Sequence, residues 1–379
     1  MDKKIKVAQI IGKAKNGGVE ACILNYYQTI DRSLIEFHFF VENTSDLIND
    51  EVISKLGGKV ILTPKYTNLF KYIKFLKKTF SDNKYDIVHS NLNSLSVFPL
   101  FAAKLAKVKI RIAHSHSTTN KKEIFRNLTK NFLKLFSKLF SNEYFACSEL
   151  AGLWLFGAKT LKKGKVFILH NAVDLKRFKF DDRIRNETRK SLGISKNTIV
   201  LGNVGRLSTQ KNQKFLIDLL SKLDCSKYKL LILGQGKLGK ELMQKASNLK
   251  LENNIIFVEK SNMPEKFYNS FDIFLLPSLY EGLPVSGVEA QVNSLPCIFS
   301  DKVTNEAKVL ESTKFLSIKS TSYWEDEINK ITIGKRYNCD EFLKKFSKYD
   351  IVKQGKILTD KYLELIKHYG SALWIRKDC

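Results

Sequence analysis

The sequence predicts an α/β protein built from two doubly wound parallel sheets. Short apolar runs alternate with helical patterns along the 379 residues, as in strand–helix–strand units. These runs are apolar on both faces, which is typical of parallel strands covered by helices on either side. The same alternation restarts in the second half, and a chain of this length suits two domains.

In the first half, helical patterns separate five predicted strands. A loop with Gly17 and Gly18 follows the first strand, and a helical pattern over 19–30 leads to the second. The strands are predicted over 4–11, 36–41, 59–62, 86–89 and 110–114. Together these elements predict a first domain over residues 1–170.

The second half repeats this architecture without repeating the sequence. Its strands are predicted over 199–203, 229–233, 255–258, 272–276 and 296–300, with a helix over 212–223. They predict a second domain over 171–355. A final helical pattern covers 350–373, and we expect the segment 356–379 to pack back on the first domain. Because open α/β sheets bind ligands beyond the carboxyl ends of their strands, two such domains facing each other predict an inter-domain cleft.

The charge of the chain is strongly positive. Its 64 Lys and Arg exceed its 38 Asp and Glu by 26. Residues 59–138 hold 17 basic residues against three acids, a local net charge of +14. Such an excess favours an anionic partner, which is a nucleic acid, a membrane surface or a phosphorylated substrate. Its local concentration points to one face of the protein.

Composition and cysteine spacing exclude several classes of protein. Hydrophobic residues make up 44% of the chain, too many for a disordered protein. The six cysteines form no CxxC pair, which indicates free thiols in a reducing compartment. No apolar run is long enough for a transmembrane helix, and the N-terminal run is too short for a signal peptide. We therefore expect a cytoplasmic protein.

Two carboxylates flank a strand-to-helix corner, EGLPVSGVE, between Glu281 and Glu289. Pro284 fits the first turn of that helix, where its missing N–H costs nothing. The free N–H groups at the helix start can hold an anion, and Glu289 should lie about two turns further on. Carboxylates suit sugar or ribose hydroxyls because they accept two hydrogen bonds. The alternative is an ordinary helix start with one surface Glu.

Two basic residues, Arg206 and Lys211, follow a predicted strand that ends near Gly205. Glycine lets a ligand approach the backbone closely, and two fixed positive charges suit a diphosphate. No Asp-x-Asp occurs, so these cations, and no metal ion, are expected to neutralise the phosphates. The alternative is that both belong to the general basic excess.

The first loop and a histidine pair are further candidates. Gly17 and Gly18 open the first helix, where a phosphate or a sugar could approach its N-terminus. They do not complete GxGxxG, and no GxxxxGK[ST] occurs, which disfavours a dinucleotide dehydrogenase and a P-loop enzyme. His114 and His116 end a strand. His114 either contacts substrate or is a hydrogen-bonded structural residue.

The segment 121–141 combines Phe and Leu residues with six Lys or Arg and one acid. This pattern is typical of a helix that lies on an anionic membrane. The basic residues expected to face the lipid are Lys121, Lys122, Arg126, Lys130, Lys134 and Lys138. A second such stretch covers 66–80. The alternative is two ordinary surface helices with solvated lysines.

Motifs along nearly the whole chain share an order and a spacing that point to one family. They are Gly17-Gly18, YDIVHSN at 85–91, AHSHS at 113–117, ACSELAGLWLFG at 146–157, HNAVDLKRF at 170–178, GRLSTQKN at 205–212, the glycines 234 and 236, and LPSLYEGLPVSGVEA at 276–290. With these motifs the chain resembles the retaining GT-B glycosyltransferases of sequence family 4, in particular those of bacterial capsular and exopolysaccharide assembly.

The resemblance implies roles for particular residues. Arg206 and Lys211 match the pair on the donor diphosphate, and Glu281 matches the Glu beside the donor sugar. Glu289 matches the Glu on the ribose hydroxyls, and His114 matches a His near the reacting sugar. Further contacts with the donor would come from Gly17, Gly18, Gly205, Gly282, Leu283, Pro284 and Val285.

The implied reaction moves a hexosyl group from a nucleotide sugar, expected to be a UDP-sugar, to a lipid-linked saccharide. The first domain would bind the acceptor and the second the donor. Retention would follow a front-face route without an enzyme nucleophile, a metal ion or another cofactor. Glu259 and Lys260 stand where the family often has glycine, which leaves UDP versus GDP open.

The resemblance also places the chain in the cytoplasm, peripherally on the inner face of the cell membrane. Two alternatives remain. One is a nucleotide-sugar epimerase of the same fold, which would have no reason for membrane-binding helices. The other is a basic nucleic-acid-binding protein, although no nucleic-acid motif appears and we expect no nucleic-acid partner.

Overall fold

The computed structural model describes residues 4–12, 18–42, 50–116, 132–259, 261–334 and 336–370. The chain divides into two compact units. Unit 1 contains Met1–Ala172 and Ile351–Cys379, and unit 2 contains Val173–Asp350.

Unit 1 holds a parallel sheet. Its strands in the described residues are β1 (Ile5–Gly12), β2 (Ile35–Glu42), β3 (Lys59–Thr63), β4 (Ile87–Ser90), β5 (Ile110–Ser115), β6 (Glu143–Ala146) and β7 (Val166–Ile168). They are ordered β3-β2-β1-β4-β5-β6-β7, and each neighbouring pair is parallel. The first five lie within one residue of their predicted bounds. β6 and β7 were not predicted.

Helices cover this sheet. They are α1 (Gly18–Thr29), α2 (Asp50–Lys55), α3 (Leu69–Asn83), α4 (Val97–Leu105), α5 (Glu149–Phe156) and α6 (Ala158–Lys162). The described residues of β1 and β2 are mostly buried, because helices pack on both faces of the sheet.

Helix α3 corrects the interpretation of the stretch 66–80. Its residues Tyr72, Leu76 and Phe80 are buried, so its main apolar stripe packs inside unit 1 and does not face a membrane. Tyr66 and Phe70 remain exposed. The alternative of an ordinary amphipathic surface helix therefore describes most of this stretch.

Unit 2 holds a second parallel sheet. Its described strands are β8 (Ile199–Val204), β9 (Tyr228–Leu233), β10 (Ile255–Val258), β11 (Ile273–Leu276), β12 (Cys297–Ser300) and β13 (Lys314–Leu316). Their order is β10-β9-β8-β11-β12-β13, again with parallel pairs. β13 was not predicted. This order is that of a doubly wound Rossmann-like sheet, and the predicted fold class is confirmed.

The helices of unit 2 alternate with its strands. They are α7 (Leu175–Phe178), α8 (Asp182–Ser191), α9 (Gln213–Leu220), α10 (Gly239–Asn248), α11 (Pro264–Ser270), α12 (Val285–Val292), α13 (Ser322–Lys330) and α14 (Asp340–Lys344). Across the described ranges, none of the helices in either unit has the length and apolar character needed to cross a bilayer.

The last helix, α15 (Ile351–Tyr369), returns to unit 1. Its residues Leu358, Tyr362 and Leu365 are buried in the same core as Tyr26 of α1. The two points where the chain passes between units lie side by side, because Val173 and Asp350 form a parallel bridge.

The central strands of unit 2, β8 and β11, are neighbours although five elements separate them along the chain. The strand order reverses between them, and ligands of open α/β sheets bind beyond the carboxyl ends at such a point. The loop after β8 covers 205–212 and the loop after β11 covers 277–284. The described candidate site of unit 2 lies on these two loops.

Candidate functional site

Backbone and side-chain hydrogen bonds join the two switch-point loops. The Gln210 carbonyl accepts from Leu279 N at 2.8 Å, and its Nε2 donates to the Tyr280 carbonyl at 3.0 Å. Asn212 Nδ2 donates to the Pro277 carbonyl at 3.2 Å. These contacts hold the loops in one arrangement and so fix the side chains that they carry.

Lys211 and Glu281, one from each loop, form an ion pair. Lys211 Nζ lies 2.6 Å from Glu281 Oε1, and the side chains are 18% and 10% exposed. The sequence predicts both residues at the site but does not predict this contact. The pair places a cation and a carboxylate together at the carboxyl ends of neighbouring strands.

Arg206 follows Gly205, whose backbone packs against a second glycine at the end of the neighbouring strand. Gly234 has a φ of +151°, and a Cβ there would lie 2.0 Å from the carbonyl oxygen of Gly205. Gly205 N also donates to the Leu233 carbonyl at 3.0 Å. The ends of β8 and β9 therefore approach closely, and the exposed Arg206 extends from this junction.

The segment Gly282, Leu283, Pro284 and Val285 enters α12. Pro284 is the N-cap residue, with φ −74° and ψ 109°, and does not lie in the first turn as predicted. Its extended backbone sets its carbonyl to accept from Gly287 N and Val288 N, at 3.1 and 3.2 Å. The first N–H groups of the helix stay available to an anion, as at other helix N-termini.

Glu289 is the fifth residue of α12, about one turn from its start and not two. Tyr268 of α11 donates its hydroxyl to Glu289 Oε2 at 2.6 Å. Burial raises the pKa of Glu289 to about 7, while Tyr268, Arg177 and Lys211 act to lower it. Burial and the nearby carboxylate both raise the pKa of Tyr268, which keeps its hydroxyl a donor.

The sequence did not single out Tyr268. An aromatic residue in an apolar helical pattern looks like a core residue, and Tyr268 is indeed fully buried. Only the tertiary contact of α11 with α12 shows that its hydroxyl reaches a site carboxylate.

In unit 1, His114 lies in a buried row of histidines. Its Nδ1 is 2.9 Å from Nε2 of His89, whose Nδ1 is 2.6 Å from the Tyr362 hydroxyl. The His116 ring lies against the His114 ring with a centroid distance of 3.8 Å and an angle of 32° between the ring planes. Burial lowers the pKa of His89 to about 3, that of His116 to about 4, and that of His114 well below its ordinary value. All three are therefore neutral at pH 7.

The hydrogen bonds of this row run in one direction. Gln9 Nε2 donates to the Tyr362 oxygen at 3.0 Å, which leaves the Tyr362 proton for His89 Nδ1. Neutral His89 then donates from Nε2, so His114 accepts at Nδ1 and carries its proton on Nε2. Within the described residues, His114 Nε2 has no hydrogen-bond partner. His114 is thus a hydrogen-bonded buried residue, and its contact with substrate stays a prediction.

Part of the predicted membrane segment is described. Four of its predicted lipid-facing residues lie outside the described residues, and they are Lys121, Lys122, Arg126 and Lys130. Gly17 of the first loop also lies outside them, and α1 begins at Gly18.

The described end of the segment packs on the region of α5 and α6. Lys138 Nζ donates to the Phe156 carbonyl and Thr160 Oγ1, both at 3.3 Å, and Lys134 Nζ lies 5.8 Å from the centre of the Trp154 ring. Three apolar side chains remain exposed, and they are Phe132, Leu135 and Leu139.

The cysteines and the potential metal ligands can be located in the described part of the chain. It contains no group of three or more His, Cys, Asp or Glu side chains placed to hold a metal ion. Of the five cysteines in that part, Cys22, Cys147 and Cys297 are buried.

Two family profiles match the chain in succession. Residues 16–177 match the profile described as Glycosyltransferase Family 4. Residues 184–349 match the profile described as Glycosyl transferases group 1. The two matches together cover most of the chain and divide it near the boundary between the units.

Relatives resemble the chain over most of their length. A putative glycosyltransferase EpsF of Bacillus subtilis (strain 168) is 29% identical over 343 residues, which are 87% of this chain and 88% of that protein. The capsular polysaccharide biosynthesis glycosyltransferase CapH of Staphylococcus aureus is 26% identical over 88% of this chain and 92% of its own. The UDP-Gal:alpha-D-GlcNAc-diphosphoundecaprenol alpha-1,3-galactosyltransferase of Escherichia coli is 23% identical over 96% of this chain and 98% of its own.

A solved structure shares the fold. The crystal structure of Anabaena Alr3699/HepE in complex with UDP-glucose superposes with a TM-score of 0.78 and is 18% identical. The match covers 96% of this chain and 99% of that one.

Proposed function

Because the chain belongs to the GT-B glycosyltransferases of family 4, we propose that it transfers a sugar from a UDP-sugar to a lipid-linked saccharide during bacterial surface polysaccharide assembly. One observation carries the proposal: the switch point of unit 2 gathers the Lys211–Glu281 ion pair, Arg206, and the start of the helix that bears Glu289. This is a set of groups suited to a sugar diphosphate.

Each group has a role in donor binding. Arg206, Lys211 and the N-terminus of α12 take the diphosphate, and Glu281 takes hydroxyls of the sugar. Glu289 accepts hydrogen bonds from the ribose. Gly205 leaves room for the donor, since glycine lets a ligand approach the backbone. The donor contacts that the family implies for Gly17 and Gly18 are part of the proposal. HepE, solved with UDP-glucose, and the UDP-Gal-dependent relative support a UDP-sugar as the donor.

We further propose that the reaction retains the anomeric configuration and needs no metal ion. In the described site, Glu281 is paired with Lys211 and Glu289 with Tyr268, so both carboxylates already have partners. A front-face route fits this arrangement, because the departing diphosphate takes the proton of the acceptor hydroxyl. Arg206 and Lys211 stabilise the negative charge that grows on the diphosphate, which is commonly worth a few kcal/mol.

The acceptor is proposed to be a saccharide on a lipid carrier, bound by unit 1 with His114 near the reacting sugar. A relative named for a diphosphoundecaprenol substrate supports a lipid-linked acceptor, and CapH supports capsule assembly. The exposed Phe132, Leu135 and Leu139, beside basic residues, support attachment to the inner face of an anionic membrane.

A panel of thermal-shift measurements tests the proposal. The ligands are UDP, GDP, ADP, NAD and a short single-stranded RNA, each at moderate salt. A ligand at about 100 times its Kd stabilises the folded chain by about 2.7 kcal/mol, a shift of a few degrees. We expect a response to UDP that Glu289→Ala loses and that Glu241→Ala, an exposed carboxylate on α10, retains. A response to NAD alone or to RNA alone would contradict the proposed function.

A further inference from the structure

Tyr268 and Glu289 form a buried contact between neighbouring helices. The Tyr268 hydroxyl lies 2.6 Å from Glu289 Oε2 and 3.3 Å from the Ser286 carbonyl. Tyr268 is fully buried, while Glu289 keeps part of its surface exposed. One carboxylate oxygen is therefore held by Tyr268 from inside the protein, while part of the Glu289 residue stays exposed.

Arg336 ties together the ends of the two helices that carry this pair. Its Nη2 donates to the Tyr268 carbonyl at 3.1 Å and to the Asn293 carbonyl at 2.9 Å. These carbonyls stand at the C-terminal ends of α11 and α12, where most carbonyls lack an intrahelical donor. The Tyr268 carbonyl also accepts from Phe271 N at 3.3 Å. Its guanidinium also lies over the Phe180 ring. These contacts fix α11 and α12 relative to each other and so keep the Tyr268 hydroxyl beside the Glu289 carboxylate.

The charges around Glu289 come from three other elements. Arg177 of α7 and Lys211 of the loop after β8 favour its ionised form, whereas Glu265 of α11 disfavours it. Arg177 is itself paired with Glu265 at 2.9 Å. Since these two charges largely offset each other, the direct hydrogen bond from Tyr268 is the strongest local stabiliser of the carboxylate.

The geometry points to Tyr268 as a positioning residue of the donor site, which holds Glu289 Oε2 so that an ionised Oε1 faces the ribose hydroxyls. This inference rests on the proposed function, in which Glu289 binds the ribose. Tyr268 itself does not touch the donor. It acts through the orientation and the ionisation of the carboxylate.

The first experiment measures ribose recognition by calorimetry. The Kd values of UDP and 2′-deoxy-UDP are compared in the wild type, Tyr268→Phe, Glu289→Gln and Tyr228→Phe. The wild type should prefer UDP by about tenfold or more, the worth of one hydrogen bond to a charged group. Tyr268→Phe should lose most of this preference. Tyr228→Phe is the matched control, because Tyr228 is also a buried tyrosine of unit 2 and its hydroxyl contacts Asn329 instead.

The same variants are then titrated with UDP across pH. Burial holds the pKa of Glu289 at about 7, so wild-type affinity should rise as the pH passes through that value. Tyr268→Phe removes a contact that lowers this pKa, so its midpoint should move to higher pH. A merely structural tyrosine would weaken binding without moving the midpoint.

A measurement without nucleotide separates the possible failures. The pKa of Glu289 is higher in the folded chain than in the unfolded chain. The folded chain therefore loses stability as the pH rises above the ordinary pKa of Glu. Tyr268→Phe should therefore lower the melting temperature more at pH 8 than at pH 5.5, and this difference should vanish in the Glu289→Gln background.

Two outcomes would overturn different claims. If the Tyr268→Phe variant keeps both the preference for UDP over 2′-deoxy-UDP and the pH midpoint, Tyr268 has no positioning role. The proposed donor site would not be affected by that result. A wild-type chain that binds no nucleoside diphosphate overturns the proposed function.

Discussion

Lys211 Nζ lies 2.6 Å from Glu281 Oε1, so the site pairs one of its cations with one of its carboxylates. The pair joins the loops that follow two neighbouring strands of unit 2. A diphosphate that enters here finds a lysine whose charge is already partly neutralised. Under the proposed function, the strength of donor binding depends on how Lys211 divides its hydrogen bonds between Glu281 and the phosphates.

This competition makes Glu281→Gln and Lys211→Ala behave differently. Glu281→Gln releases Lys211 to the phosphates, so UDP should bind as tightly as in the wild type or up to about tenfold tighter, while kcat falls. Lys211→Ala should weaken UDP binding and lower kcat together. Calorimetry and steady-state rates measure both effects. Lys245→Ala, which breaks an ion pair with Asp218 elsewhere in unit 2, is the control. Equal losses of UDP affinity in Glu281→Gln and Lys211→Ala would argue against the competition.

Arg206→Ala should slow turnover strongly. The guanidinium is exposed at the junction of β8 and β9, so its removal should leave the fold intact. Loss of one charged group that stabilises the transition state typically costs a factor of about 10² to 10³ in kcat. Lys214→Ala, an exposed lysine on α9, should keep the wild-type rate. The wild-type rate should also survive EDTA. A near-normal kcat of the Arg206→Ala variant would show that Arg206 does not stabilise the leaving diphosphate.

Acid should destabilise unit 1 through its buried histidines. Burial holds the pKa of His89 at about 3 and that of His116 at about 4, so the unfolded chain takes up their protons first as pH falls. Their stabilising contribution is complete above the ordinary pKa of His, near 6.5, and is lost below it. At pH 5 each should cost about 2 kcal/mol of unfolding free energy.

Urea unfolding at pH 7 and pH 5 measures this loss. His116→Asn should reduce the difference between the two pH values, whereas His368→Gln, at an exposed histidine of α15, should not. Equal stability of the wild-type chain at both pH values would show that the histidines are not held neutral.

Replacing Lys130, Lys134 and Lys138 by Glu should abolish binding to anionic vesicles. Each basic residue near an anionic surface contributes about 1 kcal/mol, and a glutamate adds repulsion. Co-sedimentation with anionic and with neutral vesicles measures the effect. The matched control replaces Lys190, Lys196 and Lys222, three exposed lysines of unit 2, by Glu. Retained binding of the first variant would place the membrane surface elsewhere.

The sequence predicts most strands and misses three short ones, which are the internal strand β6 and the edge strands β7 and β13. A strand such as β1 is a long apolar run between turn residues, and its burial on both faces is visible in its composition. β7 and β13 have three residues each, and β13 begins with an exposed lysine. Three residues are too few to show the hydrophobic periodicity of a strand, and the pairing of β7 and β13 depends on the neighbouring strand.

At the site, the sequence locates the groups but not their partners. The strand-end motifs identify Arg206, Lys211 and Glu281, because the carboxyl ends of parallel strands meet at one edge of the sheet. The contact of Tyr268 with Glu289 depends on how two helices pack, and no local pattern encodes it. The chain of His89, His114 and Tyr362 likewise joins two strands to the last helix.

The return of α15 to unit 1 has a consequence for protein synthesis. When residue 350 has left the ribosome, all of unit 2 is available to fold, but unit 1 still lacks Ile351–Tyr369. The nascent first unit must then keep uncovered the apolar surface that Leu358 and Tyr362 later bury. The unit that is translated first is therefore completed last, and a chaperone that shields nascent apolar surface has its longest task there.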